Sequence, residues 1–138
     1  MKSFLIVAAV SALAFAVQAR AADLTVEITN AASADGFVGA ALYRGETGWL
    51  KDGSAVASLR AAAGGKVVLV FRNLEPGRYA LSAMHDANGS GKLDRNLVGL
   101  PTERYGFSRG ARGAFGPPAF EAAAFELTGD TTLALTLE

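Results

Sequence analysis

The residues with the clearest potential for chemistry lie in one Gly-, Asp- and Asn-rich stretch, residues 85–94. Oxygen-bearing side chains alternate along it, and Gly91 stands where a calcium-binding loop needs a sharp turn. Calcium takes about six to eight oxygen ligands, and alternate residues of a tight loop can direct their oxygens to one point. The predicted ligands are Asp86, Asn88, Ser90, Lys92 through its main-chain carbonyl, and Asp94.

The match to a calcium loop is incomplete. Its twelfth position is Leu97 instead of the bidentate Glu of an EF-hand, and no flanking helices are evident. Glu103, nine residues after Asp94, could fold back and supply a carboxylate. The alternative is a metal-free loop in which Asp86 and its neighbours cap main-chain N–H groups. Both interpretations stay open; with so few carboxylates, a calcium site would suit roughly millimolar extracellular calcium.

His85, the single histidine, lies between an apolar run and this acidic loop. It could act as a general base with Asp86, Asp94 or Glu103, and this makes a hydrolase the alternative function. The simpler interpretation is a histidine that packs at a strand end and hydrogen-bonds the loop. The sequence has no nucleophile elbow, zinc-ligand cluster or phosphate loop, so a non-enzymatic protein is the expectation.

The apolar residues of 87–121 follow neither the helical nor the strand period. The segment holds too many large apolar side chains for all of them to be exposed to solvent. We expect an ordered excursion and call it the 87–121 segment. Its aromatic side chains could line an apolar or carbohydrate-binding groove, with arginines on the rim, or form the segment's own small core. The candidate ligand-binding residues are Tyr105, Phe107, Phe115 and Phe120.

The elements that must position these residues are predicted to be β-strands, because apolar and polar residues alternate with a period of two along much of the chain. Strands are predicted at 24–29, 37–43, 66–73, 78–86, 122–127 and 131–137. They form three consecutive pairs, of which the second and third are predicted hairpins. Residues 66–73 are apolar on both faces and predict a central strand, whereas 49–63 predicts a long connection with one short helix at most. The fold class is therefore all-β: a single antiparallel β-sandwich of the immunoglobulin-like or transthyretin-like kind.

The first 21 residues have the order of a secretory signal peptide: Lys2, an uncharged apolar run from Phe4 to Val17, and a small-x-small site ending at Ala21. The run is shorter than the ~20 residues of a membrane-spanning helix. Residues 22–138 then form one exported domain, periplasmic or secreted, with no further span. They hold eleven basic and thirteen acidic residues, a net charge of −2 without a basic stripe, which argues against nucleic-acid binding.

The residues quoted above also carry a family resemblance. The run from His85 to Asp94, the Gly99-x-Pro101-x-Glu103-x-Tyr105-Gly106-Phe107-Ser108 stretch and the Phe115-Gly116-x-Pro118-x-Phe120 stretch resemble a bacterial family known as domain of unknown function 2141. The resemblance covers nearly the whole of residues 22–138. It implies an exported β-sandwich protein and implies no established activity.

Together these patterns predict an exported envelope protein that acts as a non-enzymatic binding module, with calcium as the candidate cofactor. Its partner is predicted to be an envelope or extracellular ligand of unknown identity. A hydrolase using His85 is one alternative, and a structural subunit that pairs through an edge strand is another.

Overall fold

A computed structural model describes residues 11–15, 20–93, 97–98 and 101–138. This part of the chain is nearly all β and contains two sheets. A 3-10 turn, Ser108–Gly110, and a single helical turn, α1 (Phe120–Ala123), lie between the sixth and seventh strands. The strands are β1 (Ala22–Thr29), β2 (Phe37–Arg44), β3 (Ala57–Ala62), β4 (Val67–Leu74), β5 (Gly77–Asp86), β6 (Tyr105–Phe107), β7 (Phe125–Leu127) and β8 (Thr131–Thr136).

The smaller sheet has the order β4-β1-β8, and the larger has the order β3-β2-β5 with β6 and β7 both paired to β5. β1 and β8 run parallel, in register from Leu24 with Thr131 to Thr29 with Thr136. The prediction of a wholly antiparallel structure was therefore wrong for this pair. A parallel pair needs a long crossover, and here nearly the whole chain separates β1 from β8.

The three predicted strand pairs, two of them hairpins, were also wrong. β1 and β2, β4 and β5, and β7 and β8 each lie in different sheets, so each connection crosses from one sheet to the other. The turn from Leu74 to Gly77 is such a crossing, and it is held by the Tyr79 hydroxyl, which donates to the Glu75 carbonyl at 2.5 Å. Alternation specifies which face of a strand is buried, but it does not specify the neighbouring strand.

The predictions for β4 and for residues 57–62 were also wrong, because the sequence pattern does not specify which strands are neighbours. β4 is an edge strand instead of a central one, and the outward-facing Val68 is 48% exposed. Residues 57–62, predicted as part of an irregular connection, form β3 because pairing with β2 from Phe37 to Leu42 satisfies their main-chain groups. Tertiary pairing outweighs the weak strand propensity of this Ala-rich run.

Both sheets bury their inner faces in one shared core, which holds Leu24, Val26 and Ile28 from β1 together with Val38 and Leu42 from β2. On β8, Leu135 is buried, as are Leu127 at the end of β7 and Leu137 just after β8. This confirms the predicted inward face of the last strand. Among the residues that the structure describes, no helix is long and apolar enough to cross a membrane.

Candidate functional site

The Asp86 loop, residues 86–92, winds around the side chain at its start. Asp86 ends β5 and is only 6% exposed. Its carboxylate accepts the Ser90 N–H at 2.9 Å on one oxygen and the Gly91 N–H at 2.7 Å on the other. This carboxylate therefore caps the turn, as the metal-free interpretation expects, while its position at the start of the loop is also the one a calcium loop uses.

The other predicted ligands gather around the same turn. The side-chain oxygen of Asn88 accepts the Ser90 N–H at 3.1 Å, and the Ser90 hydroxyl donates to the Lys92 carbonyl at 3.0 Å. Glu103 does fold back toward the loop, since its carboxylate accepts the Ala87 N–H at 2.7 Å. Asp94 lies outside the described residues. Oxygens of Asp86, Asn88, Ser90 and Lys92 thus lie within one turn, and oxygen is the donor type that calcium prefers. Among the described residues, no three His, Cys, Asp or Glu side chains are grouped as metal ligands.

His85 is buried beside this loop, at 1% exposure, and both of its ring nitrogens bind main chain. The Ala32 N–H donates to Nδ1 at 3.2 Å, so Nδ1 carries no proton. Nε2 lies 2.7 Å from the Asp35 carbonyl, which can only accept, so Nε2 donates. The imidazole is therefore the neutral Nε2–H tautomer, and it ties the connection between β1 and β2 to the end of β5.

The same connection touches the Asp86 loop through Gly36, whose φ is +66°. A Cβ built on Gly36 would lie 2.0 Å from the Asp86 carbonyl oxygen. From the 87–121 segment, Arg104 donates to the Asn30 carbonyl at 2.9 Å, and its own carbonyl accepts the His85 N–H at 2.9 Å. Three chain segments are thus held together at this end of the protein.

The predicted aromatic residues separate into two groups. Phe107 and Phe120 are buried in a small second core, in ring contact with Trp49, whose indole N–H donates to the Pro118 carbonyl at 2.9 Å. Tyr43 contacts the other side of Trp49, and burial raises the pKa of its phenol above the ordinary value. Sequence reasoning gave Trp49 no role in this core, although a lone Trp is a natural anchor for a small apolar cluster.

Tyr105 and Phe115 form the second group and reach the surface. Tyr105 is half-buried, and Phe115 is fully exposed. The turn that carries Phe115 is tight, because a Cβ on Gly113 would lie 2.0 Å from the Gly116 carbonyl oxygen. Tyr105 packs against the second core through Phe107, whereas the Phe115 side chain lies in solvent.

A groove of about 550 Å³ lies between β6, residues 110–116 and β8. Tyr105 lines one wall, and Ala134, Leu135 and Thr136 of β8 line the other. Arg112 forms an ion pair with Glu138 at this groove. The β8 side could not be identified from the sequence, because its small and hydroxyl side chains carry no chemical signal. The repeated glycines of the facing wall, Gly106, Gly110, Gly113 and Gly116, are the one signal that could have indicated it.

The wall of this groove depends on a buried hydroxyl. Ser108 is 2% exposed, and its Oγ accepts the Leu81 N–H at 3.0 Å and donates to the Ala123 carbonyl at 2.6 Å. β6 pairs with Ser82 to Met84 of β5, and β7 pairs with Gly77 to Tyr79. Between β6 and β7, Leu81 of β5 has no partner strand on this side within the described part of the chain, and the Ser108 hydroxyl accepts its N–H instead. The role of Ser108 is therefore structural.

Residues 26–134 match a family model described as an uncharacterized protein conserved in bacteria, domain of unknown function 2141. The match spans most of the chain and confirms the resemblance found in the sequence motifs. No curated protein and no solved structure matches the chain.

Proposed function

The chain belongs to this bacterial family, and from that premise we propose that it is an exported, non-enzymatic binding module of the cell envelope. The 87–121 segment and β8 form its ligand-binding surface. The observation that carries the proposal is the groove of about 550 Å³, where Tyr105 and Phe107 contribute aromatic surface to the lining. A concave site that combines aromatic side chains with polar groups can hold a ligand and fix its orientation.

The state of His85 supports a non-enzymatic role. Both ring nitrogens are already engaged by the main chain of residues 32 and 35, and the ring is buried. A general base needs a nitrogen within hydrogen-bond reach of its substrate. The fold type that we propose is a β-sandwich of the immunoglobulin-like or transthyretin-like kind, since two sheets share one core and four of the connections cross between them.

Export is supported by the start of the first strand. β1 begins at Ala22, directly after the proposed cleavage position, whereas Leu13 and Phe15 of the leader are 82% and 90% exposed. Full-length protein made in a Gram-negative host should be recovered from the periplasm or medium with the intact mass of residues 22–138. Ala19→Arg, which places a large cation in the small-x-small site, should leave the leader attached. Unprocessed wild-type protein in the cytosol would contradict export.

We propose that calcium orders the Asp86 loop. Support comes from the convergence of the Asp86 carboxylate, the Asn88 and Ser90 side chains and the Lys92 carbonyl within one turn, with Glu103 beside Ala87. Ca²⁺ bound there would replace hydrogen bonds within the loop by coordination and would hold the start of the 87–121 segment. Its contribution would be structural, by fixing the segment that forms the groove.

The test is thermal unfolding of residues 22–138 in millimolar calcium, in chelator and in magnesium. An ion at about ten times its Kd stabilises the folded state by about 1.4 kcal/mol, which raises Tm by several degrees. Asp86→Ala would lower Tm even without calcium, because it removes the side chain that caps the turn. The quantity to compare is therefore the rise in Tm between chelator and calcium. Asp86→Asn should abolish the rise, and Asp52→Asn, an exposed carboxylate elsewhere, should keep it. An equal midpoint with and without calcium in the wild type removes calcium from the proposal.

A further inference from the structure

The Asp86 loop contains the dipeptide Asn88-Gly89, and both residues are exposed. An asparagine followed by glycine is the step at which a polypeptide loses side-chain ammonia most readily, because glycine has no Cβ to hinder attack by its own main-chain nitrogen. Gly89 keeps this freedom in the folded protein: its φ is +69°, and nothing lies within 4 Å of the position that a Cβ would take. The reacting residues are thus accessible to water and to base.

The turn of the loop holds the Asn88 side chain close to the reacting nitrogen. Asn88 Oδ1 accepts the Ser90 N–H at 3.1 Å, in a bond that this N–H shares with the Asp86 carboxylate. A side-chain oxygen bonded to the N–H two residues further on closes an Asx turn. The ring of this turn includes both Asn88 Cγ and the Gly89 nitrogen, so the two atoms that must join are kept near each other by a contact that is already present.

The hydrogen bonds of the loop also favour the reaction electronically. When a nitrogen adds to an amide carbon, negative charge develops on the amide oxygen, and an N–H donor aimed at that oxygen stabilises it. Here the oxygen is Asn88 Oδ1 and the donor is the Ser90 N–H. The Gly89 N–H lies 3.4 Å from the Asp86 carbonyl, longer than the ~3.2 Å of most such bonds. A base can therefore remove its proton without first breaking a strong hydrogen bond.

We propose that Asn88 is a self-modifying site, which the loop converts to aspartate and isoaspartate without an enzyme. The Gly89 nitrogen, after loss of its proton, forms a bond to Asn88 Cγ, and the Cγ–Nδ2 bond breaks. The side-chain nitrogen takes up the proton and leaves as ammonia, and a succinimide ring remains. Water then adds to one of the two ring carbonyls and opens the ring as aspartate or as isoaspartate. This inference is independent of the groove and of calcium.

Both products change the Asp86 loop. Each places a new carboxylate at position 88, two residues from the buried Asp86 carboxylate, and like charges so close repel each other. Isoaspartate also lengthens the main chain by a methylene between positions 88 and 89, which displaces the Ser90 and Gly91 N–H groups from the Asp86 carboxylate. The modified protein should therefore be more acidic, and in chelator its Tm should be lower than that of the unmodified protein.

Asn30 and Asn73 are controls within the same chain. Both are exposed, so exposure alone does not distinguish them from Asn88. Each is followed by a residue that has a Cβ, and the Asn30 amide nitrogen donates to the Leu137 carbonyl at 2.7 Å. Cleavage after lysine and arginine places the three asparagines in separate tryptic peptides, of which residues 79–92 carry Asn88.

The experiment incubates purified protein at neutral and at mildly alkaline pH and maps tryptic peptides by mass spectrometry. Digestion in heavy-oxygen water marks any conversion that occurs during the digest. We expect Asn88 to be converted at least tenfold faster than Asn30 and Asn73, at a rate that rises with pH because the deprotonated nitrogen attacks. A protein-isoaspartate methyltransferase should label residues 79–92 and neither control peptide.

Two variants test the assigned atoms. Gly89→Ala, whose Cβ has room in the loop, should slow conversion about tenfold because the methyl group hinders the attacking nitrogen. Asn88→Ser keeps a side-chain oxygen for the turn but has no amide, so the more acidic form should not appear. Thermal unfolding of both variants checks that they fold.

A synthetic peptide of residues 79–92 separates the effect of the fold from that of the sequence. The folded protein should react at least as fast as this peptide, because the Asx turn keeps Asn88 Cγ near the Gly89 nitrogen. A folded protein that reacts more slowly than the peptide would overturn the inference, since the loop would then protect Asn88. Conversion at Asn88 that is no faster than at Asn30 and Asn73 would overturn it as well.

Discussion

Gly36→Ala is expected to lower the free energy of unfolding by about 3–5 kcal/mol, a large part of the total for a domain of this size. The new methyl group would lie 2.0 Å from the Asp86 carbonyl and 2.7 Å from the Ala87 carbonyl. Both obstacles are main chain, so a change of side-chain rotamer cannot relieve them. The φ of +66° adds a further cost of about 1–2 kcal/mol for a residue with a Cβ. Urea unfolding measures the loss directly.

Gly45→Ala is the matched control for this substitution. Gly45 has a φ of +87°, yet nothing lies within 4 Å of the position its Cβ would take. It should cost about 1 kcal/mol, which is the backbone contribution alone. If the two variants lost equal stability, the close contact between Gly36 and the Asp86 loop would not hold in solution.

His85→Leu should cost about 2–4 kcal/mol and lower the urea midpoint by about 1–2 M. Leucine can bind neither main-chain group, so the Ala32 N–H and the Asp35 carbonyl would lose their partner in a buried place. An unmade hydrogen bond of a buried group costs about 1–3 kcal/mol. Hydrogen exchange should also rise in residues 30–36, because the ring is their link to β5.

His85→Gln gives the comparison, since an amide can keep one of the two bonds and should lose about half as much stability. A His85→Leu protein as stable as wild type would contradict the structural role assigned to the ring. Loss of a hydrolytic activity in a fully folded His85→Gln protein would instead favour the hydrolase alternative.

Much of the candidate site was accessible to sequence reasoning because its signals are local. Asp86, Asn88 and Ser90 stand two residues apart in a Gly-rich run, and such spacing determines a turn wherever it lies. The fold-back of Glu103 was also predicted, and its carboxylate does reach Ala87. The use of both His85 nitrogens could not be predicted, because their partners lie 53 and 50 positions away in the chain.

The sequence by itself determined the family and the positions of most strands. For β1, β5 and β8 it also determined the buried face, because a period of two acts over neighbouring residues. Only the tertiary structure decided which strands pair. The strands of all three expected pairs lie in different sheets, and the last strand lies parallel to the first. The physical reason is that a strand's alternation is satisfied by any partner that covers its apolar face. The choice among partners is made by the shared core, and this choice also brought β8 and Tyr105 to the same groove.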